Sequence, residues 1–122
     1  MDLSHAIMDR ALLHSDCAFH LPAVRITGRL CRTNQASNTA FRGFGGPQGM
    51  LVANTWTDAL AQKLEVPLCA LQQRNLYCDG AVTHFGQTLE HSQLRTCWDG
   101  ALESALWPQR REAVAAFNAT SR

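Results

Sequence analysis

The fold class predicted for this chain is α+β: a mostly helical segment with one or two strands. Three observations carry the prediction. Apolar residues recur at helical spacing in several separate stretches, one run from Val24 to Cys31 alternates apolar and polar residues, and a glycine-rich connection, SNTAFRGFGGPQGM at 37–50, divides the two kinds of pattern. A lone strand cannot satisfy its own backbone donors and acceptors, so its partners are expected outside these residues.

The elements follow in order. Asp2 or Ser4 can cap a first helix running to about His14, because Leu3, Ile7 and Ala11, and one face over Met8 and Leu12, sit at helical spacing with Arg10 near the edge of both rows. Ser15 and Asp16 end that pattern, and Pro22 precedes the expected half-buried strand, in which Val24, Ile26, Gly28 and Leu30 alternate with Arg25, Thr27, Arg29 and Cys31. A second helix is expected from Gly49 or Met50 to Leu64, with Met50, Ala53, Trp56, Leu60 and Leu64 spaced for burial. Pro67 is placed to open a third helix, which Asp79-Gly80 closes, and residues 80–95 read as irregular. A short helix through Trp98, Ala101, Leu102 and Ala105 follows, then Pro108 opens the last one, so that 106–122 reads as an exposed helical tail with few apolar anchors.

Composition narrows the function classes. With 122 residues, 46% hydrophobic and 17% charged, the chain is long enough for one packed domain and too apolar for disorder. A net charge of +1, with basic residues scattered along the chain, lacks the footprint of nucleic-acid binding. Five cysteines, Cys17, Cys31, Cys69, Cys78 and Cys97, show neither zinc-site spacing nor an even disulfide set. With no apolar run near the length of a membrane span, the expectation is a reduced, cytoplasmic location, no membrane and no protein-held metal. His14, His20 and His84 are expected to be hydrogen-bonding or loop residues, and Trp56, Trp98 and Trp107 buried or interface anchors.

The glycine loop demands its own explanation. Gly43, Gly45, Gly46 and Gly49 each weaken regular structure, and Pro47 removes a donor. A dinucleotide fingerprint would need glycine where Gln48 stands, and a P-loop would need Lys and then Ser or Thr where Met50 and Leu51 follow Gly49. An anion- or nucleotide-binding module remains the alternative from a different class, beside a tight loop that merely turns the chain.

The string TNQASNTAFRGFGGPQGM resembles the molybdopterin-binding portion of the molybdenum hydroxylases, the family of xanthine dehydrogenase and aldehyde oxidase. DRALLHSD before it, the run VRITGRLCRTN, and RNLY, THFGQ and CWD after it occur in the same order, so that residues 2–105 are similar to that family. The resemblance implies that the whole chain, 1–122, is a segment of the larger substrate-oxidising domain of an oxidoreductase. In the family the arginine of AFRGFG contacts the cofactor, which falls on Arg42 with Phe41 beside it, and the second phenylalanine stacks on the substrate, which falls on Phe44. The glycines would then let main chain approach a bulky cofactor. The arginine of the first helix, matched by Arg10, binds the purine and stabilises charge developing on it during catalysis. Aldehyde oxidases tend to carry an apolar residue at the position of Arg10, so the resemblance favours a xanthine dehydrogenase of bacterial type acting in purine catabolism, with an aldehyde oxidase as the alternative.

The family's catalytic glutamates lie outside the matched motifs, and Glu65, Glu90, Glu103 and Glu112 do not replace them. The implied cofactor is molybdenum–molybdopterin, with iron–sulfur clusters and FAD elsewhere in the complete enzyme. The implied partners are a purine, the remainder of the molybdopterin-binding subunit and an FAD/iron–sulfur subunit. Alone, the chain is expected to be inactive; a non-catalytic interaction fragment is the remaining alternative.

Overall fold

The computed structural model describes residues 3–121 and contains five helices: α1 (Ser4–Leu13), α2 (Gly46–Lys63), α3 (Leu68–Asn75), α4 (Leu94–Ser104) and α5 (Trp107–Thr120). The expected α+β class is overturned, because the described residues hold no sheet and only two isolated antiparallel bridges, Phe19 with Leu76 and Val82 with Thr88. The run Val24–Cys31 is irregular. The half-burial expected from alternation is not found either, since Ile26 and Leu30 are exposed, and a ladder needs a second backbone, which among the described residues 24–33 do not meet. The segment instead lies across α1: a Cβ at Gly28 would stand 2.6 Å from Met8 Sδ and 3.1 Å from Leu12 Cδ1.

The proposed cap Asp2 lies outside the described residues, and Leu3 occupies the cap position of α1 without a side-chain hydrogen bond. The second helix begins at Gly46, earlier than its apolar spacing suggests, with Gly45 as a left-handed cap and Pro47 in the first turn, where a missing N–H costs nothing. Pro67 caps α3 from outside in an extended conformation, and α4 starts at Leu94, ahead of its apolar anchors.

Packing centres on α2, which at 18 residues is about 27 Å long. Its buried positions, Gly46, Gly49, Ala53, Thr57 and Ala61, form a stripe of small residues along one face. Neighbouring elements therefore come close to the α2 backbone, α1 at the N-terminal half and α3 further along. The Thr57 hydroxyl, buried within that stripe, donates to the Ala53 carbonyl at 2.6 Å. Phe19, Leu76 and Tyr77 complete the core, held by Tyr77 N–H to the Ala18 carbonyl at 3.0 Å and His20 N–H to the Asn75 carbonyl at 2.7 Å. Arg95 of α4 reaches back to the end of α3, donating to the Leu76 carbonyl at 3.0 Å.

Much of the molecule stays outside this core. The accessible surface is 9720 Å² for 13.5 kDa, whereas a compact monomer of that mass exposes about 6,500 Å². Phe41, Leu51, Val52, Leu106, Val114 and Phe117 contribute to the excess. Among the described residues no helix is long and apolar enough to cross a membrane.

Candidate functional site

The residues singled out in the sequence gather around the point where α1 meets the start of α2. Residues 43–45 wind through left-handed backbone, with φ of 101° at Gly43, 50° at Phe44 and 95° at Gly45. Phe44, as a non-glycine in that region, is held by its N–H donating to the Phe41 carbonyl at 2.9 Å. The Gly46 N–H closes the next turn onto the Gly43 carbonyl at 2.9 Å.

Two of the glycines answer to protein rather than to ligand. A Cβ at Gly45 would run into the Ile7 carbonyl, and one at Gly49 into the Ala11 carbonyl. Both are residues of α1, so at Gly45 and Gly49 the close approach that only glycine permits is made by the backbone of α1. Gly46, next to them, faces Arg10: the position of a Cβ there is 3.7 Å from Arg10 Nε and 3.5 Å from His14 Cδ2. The chain thus brings Arg10 and the turn bearing Phe44 to one junction, although they are 34 residues apart in sequence (44 − 10).

Around the junction the side chains remain available. Arg10 and Arg42 are exposed and Phe44 is half-buried. Phe41 is 83% exposed, far beyond what an aromatic ring retains inside a packed protein. Together they place two guanidinium groups and two rings near the N-terminus of an 18-residue helix, whose dipole adds partial positive charge. That chemistry suits an anion carrying flat ring systems. Among the described residues no group of three or more His, Cys, Asp or Glu is arranged to hold a metal ion.

Behind α1 lies a polar network that the sequence reading missed. Tyr77 Oη donates to Asp16 Oδ2 at 2.6 Å, and His84 Nδ1 stands 3.0 Å from the same oxygen. Asp16 and Tyr77 are both buried. Burial first, and then the hydrogen bond to Asp16 and its negative charge, push the Tyr77 hydroxyl well above the usual phenol range. Its members are 61 and 68 residues apart, so no local spacing could have announced them. The one trace in the sequence is that each lies in a stretch of family resemblance: Asp16 closes DRALLHSD, Tyr77 closes RNLY and His84 is in THFGQ.

With this geometry in view, comparison with known proteins is decisive about kinship. Residues 1–76 match the family model described as the molybdopterin cofactor-binding domain. The chain is 50% identical over 121 residues, 99% of its length, to the xanthine dehydrogenase/oxidase of Gallus gallus. It is 48% identical over 117 residues, 96% of its length, to that of Rattus norvegicus, and 41% identical over 122 residues, its full length, to xanthine dehydrogenase 1 of Arabidopsis thaliana. In each case it spans 9% of the relative's own length.

Proposed function

Because this chain belongs to the molybdopterin cofactor-binding domain family, we propose that it forms part of a xanthine dehydrogenase that oxidises hypoxanthine and xanthine to urate. The observation that carries the reading is the junction itself: Arg10 lies over Gly46, against the turn that presents Phe44. A purine seated there would have its ring plane met by Phe44 and its oxygen met by Arg10, a pairing of stacking and fixed positive charge.

The residues present fit the implied cofactor, whose phosphate and dithiolene are anionic and whose pterin is flat. Arg42 and Phe41, exposed beside the N-terminus of α2, are the side chains that would hold it. When bound, the molybdenum–pterin centre supplies the oxidation, placing one oxygen from water on the purine while two electrons and two protons leave it. Arg10 has the task that depends on geometry in this chain. As a ring carbon is hydroxylated, negative charge grows on the purine nitrogens and oxygens, and a guanidinium already in place stabilises it without reorganisation. Phe44 fixes the tilt of the ring, and the hydrogen bond from its N–H to Phe41 fixes Phe44.

The rest of the reaction belongs to partners. The excess exposed surface and the 9% share of the relatives' length support a role as one portion of a larger molybdopterin-binding subunit. FAD and iron–sulfur clusters on further domains or a separate subunit would carry the electrons away, and a cytoplasmic location and a place in purine catabolism go with that reading. The test uses the complete enzyme. Arg10→Met is expected to lower kcat/KM for xanthine by about 100-fold, about 3 kcal/mol of transition-state stabilisation, while oxidation of a simple aldehyde changes little. Equal losses on both substrates would remove the assigned role.

A further inference from the structure

The geometry points to His84 as a positioning residue for Arg10, acting in its doubly protonated form on the C-terminal end of α1; the functional half of this inference rests on the reading of Arg10 just given. Nδ1 of the His84 ring faces Asp16 Oδ2 at 3.0 Å, and Nε2 faces the Leu12 carbonyl at 3.2 Å. A backbone carbonyl only accepts, and so does an ionised carboxylate, whereas a neutral imidazole has one donor nitrogen and one acceptor. Both contacts are satisfied together only when the ring carries both protons as an imidazolium paired with the Asp16 carboxylate. The pair is enclosed, the His84 side chain being 14% exposed and that of Asp16 5%, and Tyr77 donates to the same carboxylate oxygen.

The groups facing the ring are few. The segment after α1 contributes Asp16, the segment after α3 contributes Tyr77, α1 contributes only the uncharged Leu12 carbonyl, and Phe85 lies edge-on to the ring at 5.1 Å between centroids. No second cation appears in those contacts to oppose the charge.

The end of α1 shows what the clasp does. The last carbonyls of a helix have no partner one turn further on within it; here those of Arg10, Ala11 and Leu12 accept from the backbone N–H groups of His14 and Ser15, and each of the three is also met by a side chain. His14 Nδ1 lies 2.9 Å from the Arg10 carbonyl, Ser15 Oγ donates to that of Ala11 at 2.7 Å, and His84 reaches that of Leu12. His14 and Ser15 are local, so they travel with the helix wherever it goes. His84 alone comes from a distant segment, 72 residues on, and it brings a positive charge to the negative end of the helix dipole. It therefore fixes α1 relative to the body of the protein at a point two residues past Arg10. The other end of that constraint is the seating of α1 on Gly45 and Gly49, so Arg10 is held between two anchors.

The experiment is a double-mutant comparison in the complete enzyme, with purine and aldehyde turnover measured beside hydrogen exchange of the peptide covering residues 12–19. His84→Gln keeps a donor for one partner but loses the charge and the second contact. It is expected to speed exchange in 12–19, to lower kcat/KM for xanthine about tenfold, in keeping with a small misplacement of a catalytic group, and to leave aldehyde oxidation within about twofold. In an Arg10→Met background it should add no further loss on xanthine. Should His84→Gln fail to accumulate, Asp16→Asn removes the counter-charge at constant size and should give the same pattern in milder form. Unchanged exchange in 12–19 would disprove the clasp. Faster exchange with equal losses on both substrates, or with a full additional loss in the Arg10→Met background, would disprove action through Arg10. If Arg10→Met itself fails to separate purine from aldehyde, the functional reading falls and the positioning role with it, while the exchange data still decide whether the clasp exists.

Discussion

The junction of α1 with α2 and the C-terminal pair α4 and α5 are built on opposite principles. At the junction, glycines admit a neighbouring backbone so closely that a single methyl group would collide with it. Beyond α4, Leu106 turns the chain at φ 49° and every residue of α5 is exposed, Val114 and Phe117 at 58% and 67%. The first region is packed backbone against backbone, and it is where Arg10 and the turn bearing Phe44 meet. The second exposes an apolar face that a larger protein is suited to cover. Under the proposed function, the geometry that would hold Arg10 and the Phe44 ring in register is set by packing within the described residues.

Glycine substitutions test this contrast most severely. Gly49→Ala forces its methyl group onto the Ala11 carbonyl, and we expect a loss of about 2–4 kcal/mol, measured by denaturant unfolding, together with a drop in copurified molybdenum in the complete enzyme. Gly100, inside α4 with nothing within 4 Å of a built Cβ, should respond in the opposite direction. There Gly100→Ala is expected to stabilise by about 0.5–1 kcal/mol through helix propensity alone. If both variants behave alike, the two regions do not differ as described.

Between those extremes lies the buried network. Tyr77→Phe removes one donor from Asp16 but leaves His84 in place, so a loss of about 1–2 kcal/mol is expected. The pH dependence has a definite sign. Because folding raises the Tyr77 pKa, its contribution is fully present below the ordinary phenol value, near pH 10, and is lost as pH rises from there towards the folded value. Alkaline unfolding should therefore be less steep with pH in Tyr77→Phe than in the parent, and equal slopes would remove the assigned cause. As a separate check on the partners, the isolated 122-residue chain supplied with hypoxanthine, an electron acceptor and the sulfurated cofactor should form no urate. Turnover would require a catalytic base among its own residues.

Helices were legible in the sequence because their signals are local. Apolar spacing located α1 and α2, and Pro47 and Pro108 sit in first turns, where proline is tolerated. The expected strand is absent because alternation of residue types fixes neither burial, Ile26 and Leu30 being exposed, nor pairing. Whether a run becomes a strand depends on a second backbone, and Val24–Cys31 has none among the described residues. Of the site, the motif around Arg42 and Phe44 was visible as a resemblance, and the structure added that Arg10 shares its junction. The glycines were recognised as marking a close approach, but the object approached, the backbone of α1, is visible only in three dimensions. His84 could not have been read as a partner of Asp16, since sequence carries no signal for a contact across 68 positions.

A crystal structure of the complete enzyme with xanthine bound is the most direct measurement. One purine is expected with its face against the Phe44 ring, the Arg10 guanidinium at its oxygen, and Arg42 and Phe41 on the pterin side of the same cavity. A purine bound elsewhere, or Arg10 and Phe44 opening onto separate cavities, would contradict it.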